Sequence, residues 1–486
     1  MNAIMQWIMV LLIVLGLSGS NTLGQDTIPT RKLTFEQAWE LTTQNSHVFK
    51  QVQFLKAEKT EAAWAAKGLY LPKIGVNASY MLMSEDLTLD LTDVKNAILP
   101  LYQVLIPAAV PQVANANWDP TIQKKQFGVV AATFQMPLYT GGKIAAANKV
   151  AKIERNEVDE VMRQKEGELM SELVERYFGL CLAFQAVQIR KDVLVGMNKH
   201  LQDAEKMEKQ GLIASAEVLH AHVYQAQANR ELKKAWRTIE TIHQGLINTM
   251  AMQKDTVIEP VSELFYLDSI EPVISFLTLA TARNPLLLQV DHKKLLADQN
   301  YKVQCAEYFP QIAIQGMYDV VNKDLSPYLP NWTVGIGLKW TLFDGAARYR
   351  KTRAASFKSE EVEEIKQKAE SDVASMVTKL YNELNMYKEQ LVELETAKTF
   401  SEEYLRVREK AFHQEMSNAT EVVDANLALA QVRIERLQVM YGYDLTLARL
   451  LQYSGVPEQF AAYRLRPGIK TESYKEENRS LTTKNN

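Results

Sequence analysis

The sequence predicts a mostly α-helical, internally duplicated fold with a membrane β-barrel contribution. Three observations support this. Residues 138–259 and 331–456 contain no proline, so two very long helical regions are permitted. Residues of the first half recur in the second at constant spacing. Four segments alternate apolar and polar residues over about 10 positions, the length of a tilted transmembrane strand. Composition agrees with a folded chain: 47% of the 486 residues are hydrophobic and 23% charged. This excludes a disordered chain, a collagen-like chain and a disulfide scaffold. The net charge of -3 offers no basic field for nucleic acid. Cys181 and Cys305 are too few and too far apart in sequence to suggest a zinc ligand set.

The N-terminus reads as an export signal over residues 1–24. Ile8 to Leu17 (IMVLLIVLGL) is an apolar run too short to span a bilayer and suited to a signal-peptide core. Small residues follow, among them Ser18, Gly19, Ser20 and Gly24, and cleavage is expected near Gly24. No Lys or Arg precedes the run, and no cysteine follows it to carry a lipid anchor. No other stretch approaches 18 apolar residues, so no transmembrane helix is expected in the mature chain.

Two repeats follow, 33–270 and 271–455. Tyr70, Pro72, Ile74 and Tyr80 recur as Tyr308, Pro310, Ile312 and Tyr318. Further on, Leu138, Gly141, Tyr177, Glu205, Gln210, Glu217, Ala221 and Leu246 recur as Leu342, Gly345, Tyr381, Glu409, Gln414, Glu421, Ala425 and Leu450 without a gap. Between these two stretches the register shortens by about 34 residues, so the first copy carries an insertion of that length, within 84–120. Each copy reads helix, strand, loop, strand, very long helix, turn, long helix. A polar tail, 456–486, is expected to be disordered.

The strands are expected at 73–83 and 125–137 in the first copy and at 311–321 and 331–342 in the second. Trp332, Val334, Ile336, Leu338, Trp340 and Leu342 alternate with Thr333, Gly335, Gly337, Lys339 and Thr341. A half-buried sheet of a soluble protein would show the same period of two. The export signal and the long flanking helices favour the membrane reading. Four strands cannot close a barrel, and lipid forbids an open edge, so copies must share one. Two copies would give eight strands with a filled interior; three would give twelve and room for a pore. The insertion, as the outer-facing part of the first hairpin, is expected to fold over the barrel mouth.

Helical hairpins are expected at 143–252 and 346–454. At about 1.5 Å per residue, the helices Lys143–Gln210 and Ala347–Gln414 could each reach about 100 Å. Val373, Val377, Leu380, Leu384, Tyr387, Leu391 and Leu394 follow the 4-3 spacing of a coiled-coil seam. The hairpins turn at QGLIAS (210–215) and QEMSN (414–418), with Ser215 and Asn418 as candidate N-caps. An acid follows each turn, Glu217 or Glu421. Asp424 lies three residues beyond Glu421 and shares its helix face. In a symmetric trimer Glu421 and Asp424 would form stacked acidic rings; alternatively, these acids simply complement helix dipoles.

The chain resembles the TolC family of outer-membrane efflux and secretion channels over about residues 33–455. The resemblance rests on the duplicated layout, the Leu71-Pro72 and Phe309-Pro310 helix-to-strand junctions, the strand-to-helix junction Leu342-Phe343-Asp344-Gly345, and the tips QGLIASAEVL and SNATEVVDA. It implies a homotrimer, a twelve-stranded outer-membrane barrel continued by an α-helical coiled-coil tunnel across the periplasm. It also implies a passive exit duct of a tripartite efflux or type I secretion system, served by a periplasmic adaptor and an inner-membrane pump or ABC transporter, with no cofactor. By the same resemblance Glu421 and Asp424 sit at the periplasmic aperture. Glu217 belongs to the network that holds it closed. Phe412 stands where an aromatic hydroxyl partner is expected and Ser417 where a basic partner is expected, so neither can make the family's bond. Gly211 and Leu212, with Glu415 and Met416, match the adaptor-docking tips, although Glu415 replaces a turn glycine.

Other classes are weaker. No phosphate loop, nucleophile elbow or histidine–carboxylate cluster points to an enzyme. A coiled-coil envelope scaffold would explain the helices and the signal, but not four alternating strands at matched positions. A heavy-metal efflux duct is a lesser alternative. His220 aligns with Asp424, but His220 and His222 diverge on a helix and do not chelate one ion easily.

Overall fold

The computed structural model describes residues 30–253, 256–414 and 416–472. The export signal and the last fourteen residues lie outside these. The chain opens on β1 (Thr30–Leu33), α1 (Phe35–Asn45) and α2 (His47–Gly68). The first hairpin pairs β2 (Lys73–Leu82) with a later strand, and its connection holds β3 (Leu87–Thr88), α3 (Thr92–Leu105), a 3-10 turn (Pro107–Ala109), α4 (Val110–Ala114) and β4 (Thr121–Gln123). Then come β5 (Gln126–Tyr139), α5 (Lys143–Lys209), α6 (Ser215–Thr249), β6 (Val257–Pro260) and β7 (Leu264–Leu267). The second copy runs α7 (Val273–Arg283), α8 (Pro285–Ala306), β8 (Gln311–Lys323), β9 (Trp332–Lys339), α9 (Ala347–His413) and α10 (Ala419–Tyr453). It closes on α11 (Gln459–Tyr463) and β10 (Ile469–Glu472).

The chain divides into two compact units. One holds residues 48–166 and 277–377; the other holds the described parts of 1–47, 167–276 and 378–486. The first unit carries an antiparallel sheet in the order β2-β5-β8-β9. Its register sorts the side chains, because residues directly opposite one another share a face. Ile74, Val76 and Ala78 of β2 face Phe134, Ala132 and Val130 of β5. Phe134 and Ala132 face Gly316 and Tyr318 of β8, and these face Val334 and Trp332 of β9. That face is apolar except at one end, where it carries Gln126 and Lys323. The other face carries Lys73, Asn77 and Ser79 against Gln135, Ala131 and Val129, and continues through Thr133, Met317 and Thr333. It is mixed and more polar. β2 is exposed along its whole length, and Val334, Ile336 and Leu338 of β9 are exposed. Among the described residues, the outer edges of β2 and β9 pair with no strand.

Sharp reversals join sheet to helices in the same unit. After β5 the backbone turns through Gly141 (φ 64°) and Gly142 (φ 94°); after β9 it turns through Gly345 (φ 69°) and Ala346 (φ 66°). Gly141 is doubly constrained, since a β-carbon there would stand 2.5 Å from the Ala306 carbonyl oxygen. Arg348 ties the second reversal together. Its Nε donates to Asp344 Oδ2 at 3.0 Å, and its other nitrogens donate to the carbonyls of Glu307 and Leu342.

In the second unit Phe35, Tyr177, Phe178, Phe265 and Phe460 pack edge-to-face and tilted at 5.2–6.3 Å. The Tyr177 hydroxyl donates to the Leu33 carbonyl at 2.6 Å and accepts from the amides of Val261 and Ser262. Two small ladders surround this core: β1 pairs parallel with β6, and β10 pairs antiparallel with β7. Asp444 is wholly buried; its Oδ2 accepts from the Phe265 amide at 3.4 Å. Burial pushes its carboxyl well above the usual carboxylate range.

Outside the turns, the structure departs from the sequence reading at two places. The tail does not begin as a disordered segment. Val456, Phe460 and Tyr463 are buried, and β10 completes a ladder through Glu472. One further stretch, Val273–Ala306, is long and apolar enough by composition to cross a membrane. It is broken into α7 and α8 at Asn284–Pro285, where the Asn284 side chain caps α8.

Candidate functional site

The two turns that end α5 and α9 lie in one unit, and each closes the preceding helix in the same way. In the first, the Gly211 amide donates to Glu208 and the Leu212 amide to Met207, with Gly211 left-handed at φ 75°. This is a Schellman cap. In the second, the Met416 amide donates to Ala411 at 2.9 Å, the counterpart of the Leu212 bond. Glu415 lies outside the described residues. Leu212 and Met416 are both exposed, Met416 at 72%.

The following helices start differently. Asn418 caps α10, its Oδ1 accepting from the Glu421 amide at 2.9 Å. Ser215 does not cap α6. The N-cap is Ala214, which has no side-chain oxygen to offer, and Ser215 is the first helical residue. The extended Ala214 (ψ 150°) takes the boundary position, so Ser215 already has helical geometry.

Glu421 is held from three sides. Arg408 Nη1 donates to its Oε2 at 2.7 Å, the Ser417 hydroxyl donates to the same oxygen at 2.6 Å, and its amide is capped. The Arg408 and Glu421 side chains are 34% and 39% exposed, so water still reaches the pair. Arg408 also lies 5.1 Å from the Tyr404 ring centroid. Ser417, which has no charge to offer, reaches Glu421 through its hydroxyl instead. The cation stands on α9, nine residues earlier. The sequence carried a weak signal for it, a basic residue one helical turn before Phe412, but nothing marked it as the partner of Glu421.

Phe412, which has no hydroxyl to offer, contributes by packing: it is buried, its ring 5.5 Å from that of His200 on α5. The two line a cavity of about 50 Å³ with Gly196, Asp203, Glu409 and Val423. Packing is tight at its rim, where a β-carbon on Gly196 would lie 2.7 Å from Asn426 Nδ2. Burial holds the His200 imidazole below its ordinary pKa, against the opposing pull of Asp203 and Glu217. Glu217 is therefore close enough to be felt by His200, and it is half-buried in the first turn of α6. Asp424 is exposed on α10. His220 is exposed, and His222 Nε2 lies 3.9 Å from Glu205 Oε1. Among the described residues no group of three His, Cys, Asp or Glu could hold a metal ion.

The class that these features define is an outer-membrane channel subunit: a sheet with one apolar face, joined to paired helical hairpins. The chain belongs to the outer membrane efflux protein family, whose model matches residues 40–251 and 276–456. It is thus a TolC-like protein of the outer membrane whose helices form the periplasmic tunnel. Solved structures of similar fold include the outer membrane protein VceC from Vibrio cholerae (TM-score 0.69, 14% identity, covering 87% of this chain and 96% of that one). The CmeC outer membrane channel of Campylobacter jejuni is similar (TM-score 0.70, 11% identity, 87% and 86% covered), as is the open state of the Neisseria gonorrhoeae MtrE channel (TM-score 0.68, 12% identity, 87% and 89% covered). No curated protein matches the sequence. The family is one of efflux channels rather than enzymes.

Proposed function

We propose that three copies of this chain close a twelve-stranded barrel and form the exit duct of a tripartite efflux or type I secretion system. The observation that carries the reading is the sheet. One face is mainly apolar across all four strands, with Gln126 and Lys323 only at its end, and both outer edges are open among the described residues. An open edge in lipid leaves amides and carbonyls without partners, so β2 of one copy pairs with β9 of the next. Twelve strands leave a lumen, and the more polar face lines it. The duct is passive; a periplasmic adaptor and an inner-membrane pump or ABC transporter supply substrate and energy.

Glu421 and Asp424 form the acidic rings of the periplasmic aperture. Glu217 and the buried Phe412 hold the surrounding hairpins, and Ser417 with Arg408 fixes the Glu421 carboxylate. Gly211, Leu212, Glu415 and Met416 form the tips that dock the adaptor. The exposed Leu212 and Met416 give it apolar contact. The test is single-channel conductance of the purified protein in a planar bilayer, beside Glu421→Ala/Asp424→Ala. A small cation-selective conductance that loses selectivity in the double variant supports the reading. A channel indifferent to both changes keeps the duct and removes the aperture assignment. A well-folded trimer that conducts in neither form would point to a sealed resting state or to a scaffold.

A further inference from the structure

The connection between β2 and β5 is a built module. At its base the Lys125 amide donates to Asp86 Oδ1 at 2.7 Å, and the amides of Leu89 and Leu91 donate to the carbonyls of Pro120 and Trp118. It is also fastened to the β8–β9 connection. Gln123 Nε2 donates to the Asp324 carbonyl at 2.8 Å, the Ser326 amide donates to Gln123 Oε1 at 2.7 Å, and Lys124 pairs with Asp324 at 2.6 Å. What this base presents is apolar. From Asn96 to Trp118 the chain has no charged residue. α3 turns Ile98, Leu99 and Tyr102 to its partly covered side, yet its opposite side is apolar too. Leu101 is 59% exposed and Val104 81%. A helix that is apolar on both sides belongs in a dry environment.

The exposed side is patterned. Val94, Ala97, Leu101 and Val104 follow a 3-4-3 spacing, the seam of a helix that packs on other helices. A helix lying in a membrane interface would need a charged face, which α3 lacks beyond its first turn. Dimensions point the same way. Twelve strands about 4.8 Å apart and tilted by about 40° enclose a mouth about 24 Å across. Three helices, each about 10 Å wide and packed about one axis, fill a circle about 22 Å across. The connection lies at the end of the sheet away from α2 and α5, which is the outer mouth in the proposed duct.

We propose that α3 from three copies meets through Val94, Ala97, Leu101 and Val104 in a three-helix plug that seals the outer mouth. This rests on the trimeric reading above. The test uses the full chain with Cys305→Ser, Cys181 being buried. Leu101→Cys and Val104→Cys are compared with the off-seam Gln103→Cys under mild oxidation, and light scattering reports the oligomer separately. Disulfide-linked pairs at 101 and 104, at least tenfold above the yield at 103, support the plug. A trimer with no such preference overturns it and leaves the duct standing; a monomer removes the duct and the plug together. Quenching by brominated lipid of a fluorophore carried on the Val104→Cys variant would place α3 in the membrane and also overturn it. In a separate arm, Val104→Asp should at least double the conductance of the reconstituted protein; an unchanged conductance counts against the seal.

Discussion

Replacing Arg408 with Ala should make the channel more cation-selective. Arg408 lies 2.7 Å from Glu421, so in the proposed trimer each protomer would offer the aperture one neutralised acid and one exposed acid, Asp424. Removing the guanidinium unmasks a negative charge per protomer, three per trimer. Both side chains are about a third exposed, so a water-like dielectric applies. One such charge about 8 Å from a passing cation is worth about 0.5 kcal/mol in water, and three about 1.5 kcal/mol. At about 0.1 M salt the Debye length is about 10 Å, and screening leaves roughly 0.7 kcal/mol, a factor of about 3 in local cation concentration. At about 1 M salt the Debye length is about 3 Å and the effect vanishes. The assay is the reversal potential across a KCl gradient in a planar bilayer, run at both salt levels. Arg408→Ala should shift it toward the cation limit at low salt only, and Glu421→Ala should shift it the opposite way. Ser417→Ala, which removes a hydrogen bond and no charge, should leave it nearly unchanged. An Arg408→Ala channel with unchanged or reduced cation selectivity at low salt would refute the placement of this pair at the aperture.

Other consequences follow from residues already described. Because burial lowers the His200 pKa below the ordinary 6.5, its neutral form is the one that the fold favours. Stability of the tip is therefore complete above about pH 6.5 and is lost as pH falls toward the depressed value. Protection factors of 196–204, corrected for the intrinsic pH dependence of amide exchange, should fall on acidification through that window, and His200→Gln should flatten the dependence. Ala346 is left-handed where the first copy has Gly142, so Ala346→Gly should stabilise the chain by about 0.5–1 kcal/mol in denaturant unfolding. Gly141→Ala should cost more than the gain at Ala346, since it adds a collision with the Ala306 carbonyl. The Asp444 carboxyl, raised by burial, makes the fold less stable as pH climbs past the unfolded value near 4. Asp444→Asn should hold or raise the thermal midpoint at pH 8, and a large drop there would show that the charge itself is needed.

Elements with their own period were legible in the sequence. β9 alternates strictly, and β2 and β8 alternate over most of their length; β5 was bounded by its matching position in the repeat. The coiled-coil seam is buried at Val373, Val377, Leu380, Leu384 and Leu391. The two helical hairpins fall within a residue or a few of their expected limits, because proline-free, glycine-poor sequence leaves few other choices. Elements defined by distant partners were not legible. β1 and β6 are four residues each, too short for a period, and each is a strand only because the other lies beside it. β10 is polar (IKTE) and acquires its conformation from β7. At the candidate site the acids and the Asn418 cap could be read from spacing. The Arg408–Glu421 pair could not, because it joins two helices across a turn, and helix periodicity says nothing about which residues meet there. Ser215 failed as a cap for a local reason: one residue's difference in where the helix starts decides whether a hydroxyl faces free amides.

The borders of β2 and β9, unpaired among the described residues, also bear on how the protein comes to exist. Until neighbours arrive, each newly exported chain offers two naked ladders and a greasy strand surface to whatever strand it meets first. If three copies close the barrel as proposed, correct closure needs three encounters in the right order; a wrong pairing needs one. Crowding therefore acts in both directions. Scarce chains wait too long for their partners, and abundant chains find any edge before the right one. The yield of inserted protein should pass through a maximum as expression rises, and a periplasmic factor that covers strand edges should move that maximum upward.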